Sequence, residues 1–196
     1  MKPLSKNFLS IFVSDIGRRV LGFFTIAYLT RRIGVAEFGA LNIGLTVLSC
    51  AQMVSSGGLS SFGTRAVARS SDLPMVSKVV SLRVASSAVA WILVTVIAVS
   101  FVPNPLTARL IAAFSFSLFA NGLLLDWYFQ GKEEMAIIGI GRLVSAGIYL
   151  AFIIRLVHSS ADLLLVAIAA VAGDFAMTGL LLIRYRRENK IGRAHV

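Results

Sequence analysis

Polarity along the chain alternates between long apolar runs and short polar breaks. Six runs approach the roughly 20 residues a helix needs to cross a membrane. They predict spans over about 8–30, 37–58, 75–101, 106–128, 134–157 and 161–184. The breaks, "RRIGVAEFG", "GGLSSFGTRAVARSSDLP", "VPNPL", "QGKEE" and "HSSAD", hold the Gly, Pro, Ser and charged residues that punctuate helices. Pro74, Pro103 and Pro105 fall at boundaries, where a missing backbone N–H costs least. The pattern predicts an all-α membrane protein, a six-transmembrane-helix bundle over residues 1–187.

Composition agrees. Only 14% of the 196 residues are charged and 57% are hydrophobic, against about 25% charged in soluble domains. The net charge of +10 raises the question of nucleic acid. The basic residues are spread between apolar runs and form no single patch, so no nucleic-acid partner is expected. Cys50, the one cysteine, excludes an internal disulfide. The first apolar run has no small-residue cleavage site after it and reads as a retained helix.

Basic residues in the loops set the expected orientation. With the N-terminus inside, Lys2, Lys6, Arg65, Arg69, Lys78, Lys132, Arg184, Arg186, Arg187 and Lys190 lie on the cytoplasmic side. Arg31, Arg32, Arg109 and Arg155 lie opposite. Both ends are expected in the cytoplasm.

Polar residues recur at helical spacing within the spans. Asp15, Arg18, Arg19 and Gly22 share a face of the first span, and Asn42, Thr46, Ser49 and Ser56 one of the second. Arg83, Ser86 and Ser87 cluster in the third. Arg142, Ser145 and Tyr149 align in the fifth, as do Asp174 and Thr178 in the sixth. The Ser and Thr positions read first as helix–helix contacts, as do the small-residue spacings "GRLVS" and "AAVAG". The ionisable residues ask for more, because charge within a span faces a wet interior far more often than lipid. Asp15 can reach Arg18 or Arg19 within its own helix, and Asp174 can pair across helices. Four arginines (18, 19, 83, 142) still face only two carboxylates, which predicts a cationic, water-accessible cavity. Arg83 and Arg142 are near enough to helix ends to snorkel, whereas Arg18 and Arg19 are too central. Arginine's planar, permanently charged fork suits phosphate oxygens, so the expected ligand is an anion.

Three stretches resemble signatures of polysaccharide-biosynthesis membrane proteins. "RRIGVAEFGALNIG" is similar to R-x-x-G-x-x-x-[FY]-G, "GGLSSFGTRAVAR" to G-x-x-x-[FY]-G-x-R-x-x-[AS]-[KR], and "DWYFQGKEEM" to W-x-[FY]-Q-G-x-E-x-[MF]. The resemblance is to an oligosaccharide flippase of the O-antigen type, within the multidrug/oligosaccharidyl-lipid/polysaccharide exporter superfamily. It implies a bacterial inner-membrane protein with two six-helix lobes, of which this chain matches the N-terminal one, with a missing C-terminal lobe as partner. It also implies alternating access that moves undecaprenyl-pyrophosphate-linked oligosaccharide units from the cytoplasmic to the periplasmic leaflet. On the charge argument, Arg18, Arg19, Arg83 and Arg142 would bind the lipid-linked substrate, and Asp15 and Asp174 are the candidates for ion coupling. A lipid II flippase and a multidrug exporter of the same superfamily are the alternatives, although the latter is expected to prefer an acidic cavity.

The ending "IGRAHV", residues 191–196, is the translation of the sequencing adapter ATCGGAAGAGCACACGTC. It is expected to be read-through, which would leave His195 without biological meaning. Classes outside transport have less support. No D-x-D and neither common phosphate loop occurs. His158 and His195 are the only histidines, too few for a triad or metal cluster. No enzyme activity, cofactor or metal is expected; a structural membrane subunit or a membrane-bound transferase remains as the non-transport alternative.

Overall fold

The computed structural model describes the backbone of residues 2–69 and 73–193 and the side chains of 11–69 and 75–188. His195 and the rest of 194–196 lie outside the described residues. Among those described, all regular structure is helical: α1 (Lys2–Arg32), α2 (Val35–Ser56), α3 (Leu59–Arg69), α4 (Leu73–Phe101), α5 (Pro105–Ser115), α6 (Ser117–Leu123), α7 (Asp126–Gly131), α8 (Met135–Leu156) and α9 (Leu163–Arg193). Five stretches are long and apolar enough to cross a membrane: Val35–Ser56, Met75–Phe101, Pro105–Gly131, Met135–Leu156 and Ser160–Glu188. The 31 residues of α1 also have ample length, at about 1.5 Å per residue, but Asp15, Arg18 and Arg19 interrupt its apolar character.

Two elements depart from the expected pattern. Residues 59–69, read as part of a loop, form α3. Gly57 and Gly58, at φ of +45° and +77°, make the left-handed turn that releases the chain from α2 into it. The fourth span is three helices end to end. It starts where expected: Pro105 opens α5, and Asn104 caps it by accepting from the N–H groups of Leu106 and Thr107 at 2.9 and 3.3 Å. It then tightens at Phe116 and breaks at Leu124–Leu125, where Leu124 is extended at φ −66° and ψ 125°.

Packing groups α1 with α8 and α9, and α2 with α4, α5 and α6; α5 and α6 join the groups through α9. One core gathers Leu29, Leu41, Phe114, Leu118, Ile153 and Val166. A second gathers Val67, Val79, Trp127, Phe129, Ile138 and Leu181. Outside both, α1 exposes Phe12, Phe23 and Phe24, and α4 exposes Ile92, Leu93, Val96 and Phe101. Such outward apolar faces suit lipid as solvent. This is a multi-pass membrane protein.

The two small-residue spacings meet each other. A Cβ on Gly173 would lie 2.8 Å from the Ser145 carbonyl oxygen, so α8 and α9 approach backbone to backbone. Gly173→Val should force them apart and cost about 1–3 kcal/mol. The expected sign is a lower unfolding midpoint in detergent, with Gly179→Ala, where nothing lies within 4 Å of the added Cβ, as the neutral comparison.

Candidate functional site

Helices α8 and α9 run from one core to the other, α1 packs beside α8, and the stretch between the cores carries the charge. Along α8, Ile138 belongs to one core and Ile153 to the other, with Arg142, Ser145 and Tyr149 between them. Along α9, Asp174 lies between Ala169 and Leu181. From α1, Arg18, Arg19 and Thr25 precede Leu29. These residues, with Asp126 from the start of α7, line one cavity of about 540 Å³. The cavity brings Arg18, Arg19, Arg142 and Asp174 together.

The pairing inside it differs from the sequence expectation. Asp15 bonds to neither Arg18 nor Arg19. Its carboxylate accepts from Arg142 Nη1 at 3.1 Å, across from α1 to α8. Side-chain direction explains the choice: Asp15 and Arg142 are both half-buried at the α1–α8 contact, whereas Arg18 and Arg19 are exposed. Arg18 and Arg19 have no ion-pair partner among the described residues, and Asp174 is the cavity's remaining unpaired carboxylate.

Arg83 is not among the residues lining the cavity. It is 3% exposed and points at the break in the fourth span. Its Nη1 donates to Leu124 O at 2.8 Å, and its Nη2 to Asn121 O and Oδ1 at 2.7 and 3.2 Å. Asp126 lies 3.9 Å away. A helix that ends inside a membrane leaves carbonyls with no water to accept from, and Arg83 supplies the missing donors. The sequence reading places Arg83 with the other arginines in the cationic cavity; its fork is instead fixed inside the bundle on the broken span.

Asp126 is the site residue the sequence reading missed. It ends an apolar run, "LLLDW", and passes for a boundary charge; only the break at Leu124–Leu125 turns it into the cavity. The cavity's lining then holds three arginines, Arg18, Arg19 and Arg142, and two carboxylates, Asp126 and Asp174. The polar stripe of α2 contributes little. Asn42, Thr46 and Ser49 are exposed and bond to carbonyls of their own helix. Ser86 and Thr178 do make interhelical contacts, to Ser55 O at 2.8 Å and Ala120 O at 3.0 Å.

Two of the three signature stretches pack against each other. A Cβ on Gly63 of α3 would collide with the Trp127 ring, and one on Gly131 would meet Thr64 O at 2.8 Å. Thr64 Oγ1 donates to Trp127 O at 3.2 Å. The glycines at these positions let α3 and α7 lie flat against each other. The sequence model of a family described as "Polysaccharide biosynthesis protein" matches residues 4–196. The chain belongs to that family. No curated protein and no solved structure matches it. In this family member, the end of α7 is further tied to the last turns of α9. Lys132 Nζ donates to Glu188 at 3.0 Å, and Arg184 bridges Glu188 and Glu134 at 2.9 and 3.6 Å. Burial works to lower the Lys132 pKa, but hydrogen bonds to Tyr128 and Glu188 outweigh it and hold the pKa above the ordinary lysine value.

Proposed function

We propose that this polysaccharide-biosynthesis protein is a transporter lobe that flips undecaprenyl-pyrophosphate-linked oligosaccharide across the bacterial inner membrane, both ends cytoplasmic, for surface polysaccharide such as lipopolysaccharide. One observation carries the reading: Arg18 and Arg19, in the middle of a membrane-length helix, line a cavity without ion-pair partners. Such charges persist in a bilayer where they face water or an anionic ligand. Arginine holds its charge there and offers a pyrophosphate two-pronged contacts. Arg142 adds a third cation, already answered by Asp15. That pairing makes Asp15 a support for Arg142, and Asp174 the stronger candidate for ion coupling. Both α1 arginines are exposed in this bundle, so a second six-helix lobe facing α1 would be needed to shield them from lipid. The chemistry the cavity's arginines offer is binding and release of an anion, which supports the transporter reading.

The test is binding of a short-chain polyprenyl pyrophosphate to the purified protein in detergent, by calorimetry. Saturable binding should weaken about tenfold or more when Arg18 and Arg19 are both alanine, as for loss of hydrogen bonds to a charged group. Equal affinity for the corresponding uncharged polyprenol would sink the reading.

A further inference from the structure

Helix α3 commits one face to the bundle and leaves the rest of its surface uncovered. Gly63 and Val67 are buried, the first against the Trp127 ring and the second against Gly131. Arg65 lies two positions from both, and at about 100° per residue that sets it roughly opposite them. Arg65 and Arg69 are exposed, and neither has an ion-pair partner among the described residues. Phe62, about 60° round the helix from Arg65 and about 20° from Arg69, is 61% exposed. Half-buried Leu59 and Ala66 flank it on the side away from the arginines. The helix thus has a protein side, an apolar side and a cationic side. It separates polar from apolar more sharply than α1, α2, α4, α5, α8 or α9.

Its place in the chain says which solvent meets that surface. α3 lies between α2 and α4, both of membrane length. Its 11 residues reach about 16 Å at 1.5 Å each, against about 30 Å for a hydrocarbon core. It is too short to cross, so it joins two spans at a membrane surface. Met53 and Val54, in the last turn of α2, are exposed apolar side chains, so lipid extends to the point where α3 begins. Val67, Val79 and Leu181 share one core, which sets the start of α4 and the end of α9 at the same end of the bundle. There the exposed Lys78, Arg186 and Arg187 add to the positive charge.

We propose that α3 is an interfacial helix that binds anionic phospholipid, with Arg65 and Arg69 on the headgroup phosphates and Phe62 among the upper acyl chains. Charge complementarity selects the lipid. Two guanidinium groups one helical turn apart, with no carboxylate paired to either among the described residues, offer phosphates charge-assisted, two-pronged contacts. Basic side chains at a membrane surface draw anionic lipid in preference to neutral lipid. Phe62 selects a membrane over a soluble acidic partner, because an amphipathic helix buries its aromatic residues at the boundary between headgroups and acyl chains. The arginine stems lie along that boundary while their charged ends reach the phosphates. The inference depends on neither the central cavity nor the transport reading.

The experiment is native mass spectrometry of the purified 196-residue chain in detergent, offered equal amounts of dioleoyl phosphatidylglycerol and dioleoyl phosphatidylcholine. Preferential retention of phosphatidylglycerol is expected. Arg65→Gln with Arg69→Gln should cut that preference about tenfold. Arg31→Gln with Arg32→Gln removes the same charge from the exposed last turn of α1, beside the other core, and should change it less than twofold. No preference in the wild type, or equal loss in the two double variants, overturns the site. A second measurement leaves the arginines untouched. Phe62→Cys, in a Cys50→Ser background, carries a fluorescent label in vesicles of the same two lipids. Quenching by lipid brominated high in its acyl chains is expected, with little quenching by aqueous iodide. Strong iodide quenching with none from the brominated lipid puts α3 in water, overturns the lipid assignment and favours an acidic protein as the partner.

Discussion

Arg18→Glu with Arg19→Glu should abolish export of surface polysaccharide while leaving the protein in the membrane. The two guanidinium groups face the cavity without carboxylate partners, so reversing their sign repels an anionic ligand and breaks no ion pair. The graded series carries the argument. Arg→Lys keeps the charge but loses the planar fork, so export should fall in part; Arg→Ala should cost more. Export would be measured as surface polysaccharide in a flippase-null strain at matched protein level, with the second lobe present. The contrasting pair is Asp15→Asn with Arg142→Gln. These two charges are matched at 3.1 Å, so removing both together should harm folding less than removing either alone. Normal export by an Arg18→Gln, Arg19→Gln variant would show that the cavity's cations are not used on substrate.

How far the sequence led depended on the range of the interaction. Span positions were legible because each apolar run is a local property. The meeting of "GRLVS" with "AAVAG" was foreshadowed by their small residues, since close approach of α8 and α9 needs a Gly173 somewhere. Helix α3 was hidden because Gly57, Gly58 and Gly63 read as loop punctuation, although Gly63 serves a flat contact with Trp127. The break at Leu124–Leu125 has no proline and no glycine at the break itself; it is stabilised from α4, a partner about 40 positions earlier in the chain. Local spacing also offered Asp15 two arginines on its own helix, and the one it holds is 127 residues away. Charge counting singled out Arg18, Arg19, Arg142 and Asp174, which line one cavity, while the pairings depend on contacts between helices.

The most damaging single change to the fold should be Arg83→Ala. Arg83 makes three hydrogen bonds to the broken span and lies 3.9 Å from Asp126, all at 3% exposure. Its loss leaves the carbonyls of Leu124 and Asn121 without these donors and Asp126 without its counterion. Leaving a buried acceptor without its donor costs about 1–3 kcal/mol, and the loss of the partly exposed pair with Asp126 adds to that. Lysine restores the charge but cannot reach both carbonyls with one fork, so Arg83→Lys should recover only part of the loss. Adding Asp126→Asn to Arg83→Ala should restore some stability, because the orphaned carboxylate is then neutral. Trp127, adjacent to Asp126 and fully buried, provides the readout: its fluorescence should shift to the red at a lower temperature in each variant, in the order Ala, Lys, wild type. A cap that fails would weaken ligand binding only through unfolding, in step with the melting shift. If Arg83→Ala instead melts with wild type and loses pyrophosphate binding, Arg83 belongs with Arg18 and Arg19 as a substrate contact, and the helix break is held by something else.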